Sequence, residues 1–185
     1  MAALALSEKV LLLEEAFARR RIPHAFGGAL ALAYYAVPRA TVDIDVNVFV
    51  GLARADDVLE ALETLGAAPI TAAERTRLHR DEQARVLWER TPVDLFFAYD
   101  PLHESAREHR RRMPFGDATL HVLSAEDLMI FKVLFDRDKD WRDLDELVFA
   151  MAGELDAAYV RTWLERILPP EDARRRRAEA ALARA

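Results

Sequence analysis

Three aspartates and one glycine pair are the residues whose types and spacing could do chemistry in this chain. Asp43 and Asp45 alternate with Val42, Ile44 and Val46, the pattern of a β-strand. Successive strand side chains point to opposite faces, so the two acids share a face, about 6.5–7 Å apart along the backbone. Acids so placed repel and stabilise nothing unless a cation or a proton lies between them. Asp94 poses the same problem, since it falls among Val93, Leu95, Phe96 and Phe97, where an acid is expensive to bury without a partner. Upstream, Gly27-Gly28 follows Phe26 and opens the apolar stretch Ala29-Leu30-Ala31-Leu32. Glycines at the start of a helix let backbone N–H groups approach a phosphate closely. Three carboxylates on two strands suit Mg²⁺, a hard cation that prefers oxygen and leaves positions for phosphate and water. Two such ions can clamp the attacking and leaving oxygens of a phosphoryl displacement. The residues alone therefore point to metal-assisted chemistry on a phosphate.

The elements that must position these groups can be read along the chain. Ser7 is placed to cap a first helix whose apolar face is Val10, Leu11, Leu12, Leu13 and Phe17. Arg19-Arg20-Arg21 lies at its C-terminal end, where cations suit the helix dipole, and Pro23 breaks it. His24-Ala25-Phe26 reads as a short strand, followed by the glycine turn, a helix over 29–36 and the acid-bearing strand over 41–50. A helix over 52–65 presents Val58, Leu59, Leu62 and Leu65 on one face and ends at Gly66. Residues 71–83 are polar, helical or irregular. Strands over 85–89 and 93–99 join around Thr91-Pro92, and Pro101 opens a charged helix that runs to Arg112. A turn at Phe115-Gly116-Asp117 leads to a strand over 118–123. Ser124 then caps a helix with Asp127 in the capping-box position and Leu128, Ile130, Phe131 and Leu134 as its core face. Helices over 138–151, 157–168 and 171–185 complete the chain. The expected fold is α/β (α+β), a small mixed sheet flanked by helices with a C-terminal helical cap. Residues 1–123 would form the α/β core and 124–185 a helical region packed on it, within a single domain.

Composition narrows the class of molecule. At 185 residues with 52% hydrophobic side chains the chain is one domain by size, with ample apolar material for a core. No apolar run reaches the roughly eighteen residues a membrane span needs, and residues 1–10 lack the cationic start of a secretory signal. The chain has no cysteine, which excludes disulfides and thiolate chemistry and fits the cytoplasm. A formal charge of −6 argues against a surface built throughout to coat nucleic acid. Local basic runs at Arg110-Arg111-Arg112 and Arg174 to Arg177 could still track an RNA, although a solvated helix end or face is the favoured explanation.

Phe26-Gly27-Gly28, then Asp43-Ile44-Asp45, then the later strand acid Asp94, resembles the nucleotidyltransferase superfamily with the DNA polymerase β-type palm. The fuller string from Gly27 to Leu32, with Arg39, Thr41, Asp43 and Asp45, is similar to its minimal bacterial branch, which includes AbiEii-type toxin nucleotidyltransferases. So is the string Leu123-Ser124 to Leu128, Lys132, then Arg137, Lys139, Asp140 and Asp143. The match spans about residues 23 to 150. The resemblance implies transfer of a nucleoside monophosphate from an NTP, with release of pyrophosphate. Gly27 and Gly28 would hold the triphosphate, and Arg39 and Thr41 would support the loop or a phosphate. Asp43 and Asp45 would bind Mg²⁺; Asp94 would complete a second metal site and help activate the acceptor hydroxyl. Lys132 would contact phosphate, and Asp140 would orient Lys132, the nucleotide or the acceptor. The implied acceptor is RNA or protein, in a toxin–antitoxin component with a cognate antitoxin as partner. Two alternatives stand beside it: a catalytically silent member that binds nucleotide or a partner, and an antibiotic-modifying enzyme with a small-molecule acceptor.

Each residue also has a plainer explanation. Gly27-Gly28 could be a bare turn, Asp43 and Asp45 the solvated face of an edge strand, Asp94 the partner of a nearby arginine, and Lys132 with Asp140 a surface ion pair. Arg137, Lys139 and Asp143 read as structural, and Trp88, Trp141 and Trp163 as core or interface rather than base-stacking platforms. His103-Glu104 with His109 misses the zincin spacing, whose second histidine would fall at Arg107. There is no Walker-type loop and no Gly-x-Gly-x-x-Gly, which disfavours P-loop and simple dinucleotide enzymes.

Overall fold

The computed structural model describes residues 3–184. Helix α1 (Leu6–Arg19) leads through β1 (His24–Phe26) to a short α2 (Gly28–Leu32) and to β2 (Ile44–Val48). Helices α3 (Ala55–Thr64) and α4 (Ala72–Asp81) precede the hairpin β3 (Gln83–Trp88) and β4 (Thr91–Phe97). Helix α5 (Pro101–His109) then leads to a second hairpin, β5 (Arg111–Phe115) and β6 (Ala118–Val122). Helices α6 (Ala125–Phe135), α7 (Asp138–Ala150), α8 (Ala157–Ile167) and α9 (Ala173–Leu182) close the chain. One mixed sheet runs in the order β3-β4-β2-β1-β6-β5. The pairs β2/β4 and β1/β6 are parallel, and the remaining neighbours are antiparallel.

The period of two decides what each sheet face does. Ile44, Val46 and Val48 lie in register with Val93, Leu95 and Phe97 and are buried with them. Phe26 and His24, opposite Val46 and Val48, extend that face, and Phe17 of α1 packs edge-on against the His24 ring at 5.1 Å. Asp45 pairs with Asp94 and Asn47 with Phe96, so these residues turn to the other face, where α6 lies. There Phe135 packs on Phe96 with ring centroids 5.2 Å apart. One face of the sheet is thus core, while the other carries acids under a helical cover.

Several elements differ from their sequence-based expectation, each for a physical reason. Ser7 is not the cap of α1. Ala5 holds that position, and the Glu8 carboxylate reaches back to accept the Ala5 N–H at 2.7 Å. The helix expected over 29–36 stops at Leu32, and its last residues tighten into turns. Tyr34 and Tyr35 there donate their hydroxyls to the carbonyls of Pro114 and Leu123, each at 2.8 Å. The acid-bearing strand is shorter than 41–50, so Asp43 precedes it. The β3–β4 turn is Glu89-Arg90, not Thr91-Pro92, with Glu89 in the left-handed region at φ 54°. Pro92 is tolerated inside β4 because β2 begins its pairing only at Val93, so Pro92 has a single strand neighbour. Finally, the charged helix ends at His109. Arg111 and Arg112 belong to an edge strand, where Pro114 removes no needed ladder bond.

The three tryptophans are buried, as core. Arg174 and Arg175 are engaged by Asp172 and Glu165, and Arg177 lies 4.2 Å over the Trp141 ring. Among the described residues no helix is long and apolar enough to cross a membrane.

Candidate active site

The glycine turn and the acid strand are one construction. The Gly27 N–H donates to the Asp45 carbonyl at 2.9 Å, fastening the turn to the strand. Gly28 adopts φ +53°, a conformation that L side chains rarely take. A Cβ on Gly28 would fall 1.8 Å from Asp45 Oδ2, inside the carboxylate itself. One on Gly27 would lie 3.0 Å from Asn47 Nδ2. Glycine is required here because the Asp45 side chain fills the space a larger residue would take. The five-residue α2 contributes little dipole, so close backbone approach is what the turn offers.

The three acids sit in unequal surroundings. Asp45 and Asp94 are directly paired on neighbouring parallel strands, which places them about 4.8 Å apart along the hydrogen-bonding direction. Burial, then the charges of Asp43 and Asp94, push the Asp45 carboxyl up to about 6. For Asp43 burial acts in the same direction, but hydrogen bonds from the Thr41 hydroxyl and its own backbone N–H prevail, helped by Lys139 and Arg39. They hold its carboxyl below the usual range. Asp94 is held by Arg85, which donates Nε and Nη2 to its two oxygens at 2.6 and 2.7 Å. The plainer explanation of Asp94, an arginine partner, is therefore present alongside its register with Asp45.

Lys132 and Asp140 are not a surface pair. Both are buried, with Lys132 Nζ 2.5 Å from Asp143 Oδ2 and 3.5 Å from Asp140 Oδ1. Asp143 also accepts a two-pronged contact from Arg39 at 2.9 and 3.0 Å. Asp140 accepts one from Arg137 at 2.6 and 3.1 Å. A chain of alternating charge results, Arg39–Asp143–Lys132–Asp140–Arg137, running from the loop before β2 into α6 and α7. Arg39 is thereby committed to α7, and Thr41 serves Asp43.

A narrow cleft joins the two groups, lined by Gly28, Asp45, Asn47, Lys132, Arg137 and Asp140 among others. It adjoins an opening beside Arg85 and Asp94. It also adjoins an apolar cavity of about 120 Å³ walled by Phe96, Tyr99, His103, Phe131 and Phe135. Gly28, Asp45, Lys132, Arg137 and Asp140 thus converge on one space. Asp94 lines the adjoining opening, whereas Gly27, Arg39, Thr41, Asp43, Arg110 to Arg112 and Arg174 to Arg177 line none of these spaces.

Asn47, Arg85 and Arg137 are members that sequence reasoning passed over or took as structural. Arg85 was accessible in principle. It lies directly opposite Asp94 once the hairpin is centred on Glu89-Arg90, an opposite-charge cross-strand pair.

The donor set fits a hard divalent cation. It consists of carboxylate oxygens only, and Asp45 carries a charge that its surroundings resist. Among the described residues, however, Asp43, Asp45 and Asp94 do not bring one oxygen each within 4.8 Å of the others. Asp94 is turned to Arg85, and it can ligate only if that pair opens.

No protein-family model and no curated relative matches the sequence. Solved structures do. The antibiotic-resistance factor ANT(2'')-Ia in solution aligns over 96% of this chain and 89% of its own, with a TM-score of 0.59 at 14% identity. A crystal structure of ANT(2'')-Ia in complex with adenylyl-2''-tobramycin covers 84% and 92%, with 0.57 at 14%. An antigenic nucleotidyltransferase-like protein from Paracoccidioides brasiliensis covers 96% and 92%, with 0.55 at 15%. These neighbours are nucleotidyltransferases, and the mixed sheet with its flanking helices is their fold.

Proposed function

We propose that this chain, carrying the nucleotidyltransferase fold, transfers a nucleoside monophosphate from an NTP to an acceptor hydroxyl. The observation that carries the proposal is the interlock of Gly28 with Asp45. A phosphate drawn to the glycine backbone would lie against the one acid whose charge is least compensated. A divalent ion such as Mg²⁺ on Asp43 and Asp45, with a second on Asp45 and Asp94, would neutralise triphosphate charge and favour ionisation of the acceptor. Gly27 and Gly28 would orient the triphosphate. Arg137, which reaches the same pocket, is better placed than Arg39 to meet a phosphate oxygen. Lys132 and Asp140 would hold Arg137 and the pocket floor in position. The acceptor oxygen forms its bond to the α-phosphorus as the bond to the bridging oxygen breaks and pyrophosphate leaves. Asp94, released from Arg85, would take the hydroxyl proton.

The finer placement, in the minimal bacterial branch with AbiEii-type toxins, rests on the strings from Gly27 to Asp45 and from Leu123 to Asp143. It brings RNA or protein as acceptor, a cognate antitoxin as partner and a cytoplasmic setting. A small-molecule acceptor is the second reading. Two observations favour it: the likeness to ANT(2'')-Ia, solved with adenylyl-2''-tobramycin, and the cavity beside the site. The engagement of Arg174, Arg175 and Arg177 within the chain weighs against an RNA track along α9.

The test is label transfer from NTPs with Mg²⁺, using total RNA, the protein itself and hydroxyl-bearing antibiotics as acceptors. Label from the α position, and none from the γ position, should reach one acceptor class and be lost in Asp43→Ala with Asp45→Ala. Nucleotide binding without transfer, unchanged in that variant, would leave only a silent binding protein.

A further inference from the structure

A second cluster of ligand-type side chains lies away from the acids, where α1 meets β1 and β6. It joins Glu14 of α1, His24 of β1 and His121 of β6, and one ligand atom from each lies within 4.8 Å of the others. Glu14 Oε2 is 3.1 Å from His24 Nε2, and Glu14 Oε1 is 2.7 Å from His121 Nδ1. The His121 backbone N–H also donates to Glu14 Oε2 at 3.0 Å, fixing the carboxylate.

The tautomer of His24 makes this arrangement informative. Its Nδ1 lies 3.0 Å from the Ile22 carbonyl, which can only accept, so Nδ1 carries a proton. A neutral ring then presents the bare lone pair of Nε2 to a carboxylate oxygen. Two lone pairs at 3.1 Å repel unless a second ring proton or a metal ion lies between them. A ring N–H given to a backbone carbonyl is also how metal-binding histidines are oriented, with the other nitrogen left for the ion. Two imidazole nitrogens and one carboxylate are a three-ligand set that suits zinc, with a fourth position open. Bonds of about 2.0–2.1 Å to such an ion put tetrahedral ligands about 3.3–3.4 Å apart. The 3.1 Å contact is close to that spacing, whereas the 2.7 Å contact is a direct hydrogen-bond distance that would have to open by roughly half an ångström or more to admit the ion. The cluster borders an open groove that Arg21 and Arg110 also line. Their charge opposes a bare dication and favours an anionic fourth ligand.

We propose that Glu14, His24 and His121 form a zinc-type metal site, distinct from the Asp43–Asp45–Asp94 acids, that ties α1 to β1 and β6. Glu14 and His121 are 107 residues apart in sequence, so the ion would hold together elements that meet only in the folded chain. The full-length protein, stripped of metal and kept in excess Mg²⁺ to saturate the carboxylate site, is titrated with Co²⁺ as the spectroscopic probe. The expected result is one equivalent bound with a visible d–d band, displaced by Zn²⁺, and a higher Tm with either ion. Glu14→Gln and His121→Ala should lose the band and the Tm increase, while Asp45→Asn keeps both. If Glu14→Gln does not fold, His121→Asn carries the test, since that side chain is partly exposed and asparagine can still bond Glu14. Absence of the band in the native protein, or equal binding in the His121 variants, overturns the proposal.

Discussion

Two charged regions face each other across the same pocket, and they are built on opposite terms. Arg39–Asp143–Lys132–Asp140–Arg137 alternates sign along its length, and its buried members each have partners. The acids opposite place Asp45 between two like charges, with its carboxyl at about 6. A fold that compensates five side chains so fully leaves Asp45 strained on the facing wall. The compensated group is architecture; the uncompensated one costs stability, and a cation with its phosphate would offset that cost.

Breaking the compensated side should have the largest effect. Lys132→Met leaves Asp140 and Asp143 buried without their shared cation, and should destabilise by about 3–5 kcal/mol in urea unfolding. A loss under about 1 kcal/mol would mean that the two arginines suffice without it.

Asp45→Asn should do the reverse and stabilise the metal-free protein, by up to about 3 kcal/mol for a shift of about two units. The folded pKa is raised, so the native carboxyl costs nothing below its unfolded value of 3.8 and weakens the fold as pH rises through about 6. The gain should therefore be absent near pH 4, full near pH 8, and reduced by Mg²⁺. A gain independent of pH would show that the charge is not its cause.

Gly28→Ala should cost at least about 1–2 kcal/mol from its left-handed backbone alone. It should cost more when Asp45 is present, because the added Cβ meets that carboxylate. Thermal melts of Gly28→Ala in native and Asp45→Gly backgrounds separate the two contributions. Equal costs in both would remove the interlock. The smallest stability change belongs to Arg85→Ala, since Arg85 is mostly exposed and such pairs contribute about 0–1 kcal/mol. Its consequence should instead be tighter Mg²⁺ binding, as Asp94 is freed. Unchanged Mg²⁺ affinity would mean that Asp94 does not ligate.

What the sequence made legible was local. Strand alternation marked Asp45 as a polar residue between buried Ile44 and Val46, and Gly27-Gly28 announced a turn, because both signals lie within a few residues. The neighbours of Asp94 were hidden by a turn, Glu89-Arg90, that lacks the glycine or asparagine such hairpins usually carry. Misplacing it by two residues lost the Arg85 pairing. Arg39 and Asp143, 104 residues apart, meet only through the packing of α7, which no periodicity encodes. The plainer explanation of Lys132 and Asp140 as a surface pair fails because both are buried by the packing of α6 and α7.

Asp45, uncompensated between Asp43 and Asp94, would serve to hold metal and nucleotide. Calorimetric titration of an NTP into the native protein and into Asp43→Ala with Asp45→Ala, with and without Mg²⁺, tests it most directly. The native protein should bind only with Mg²⁺, and the variant should lose binding by a hundredfold or more while melting at the same or a higher temperature. Equal, Mg²⁺-independent binding by both would contradict it.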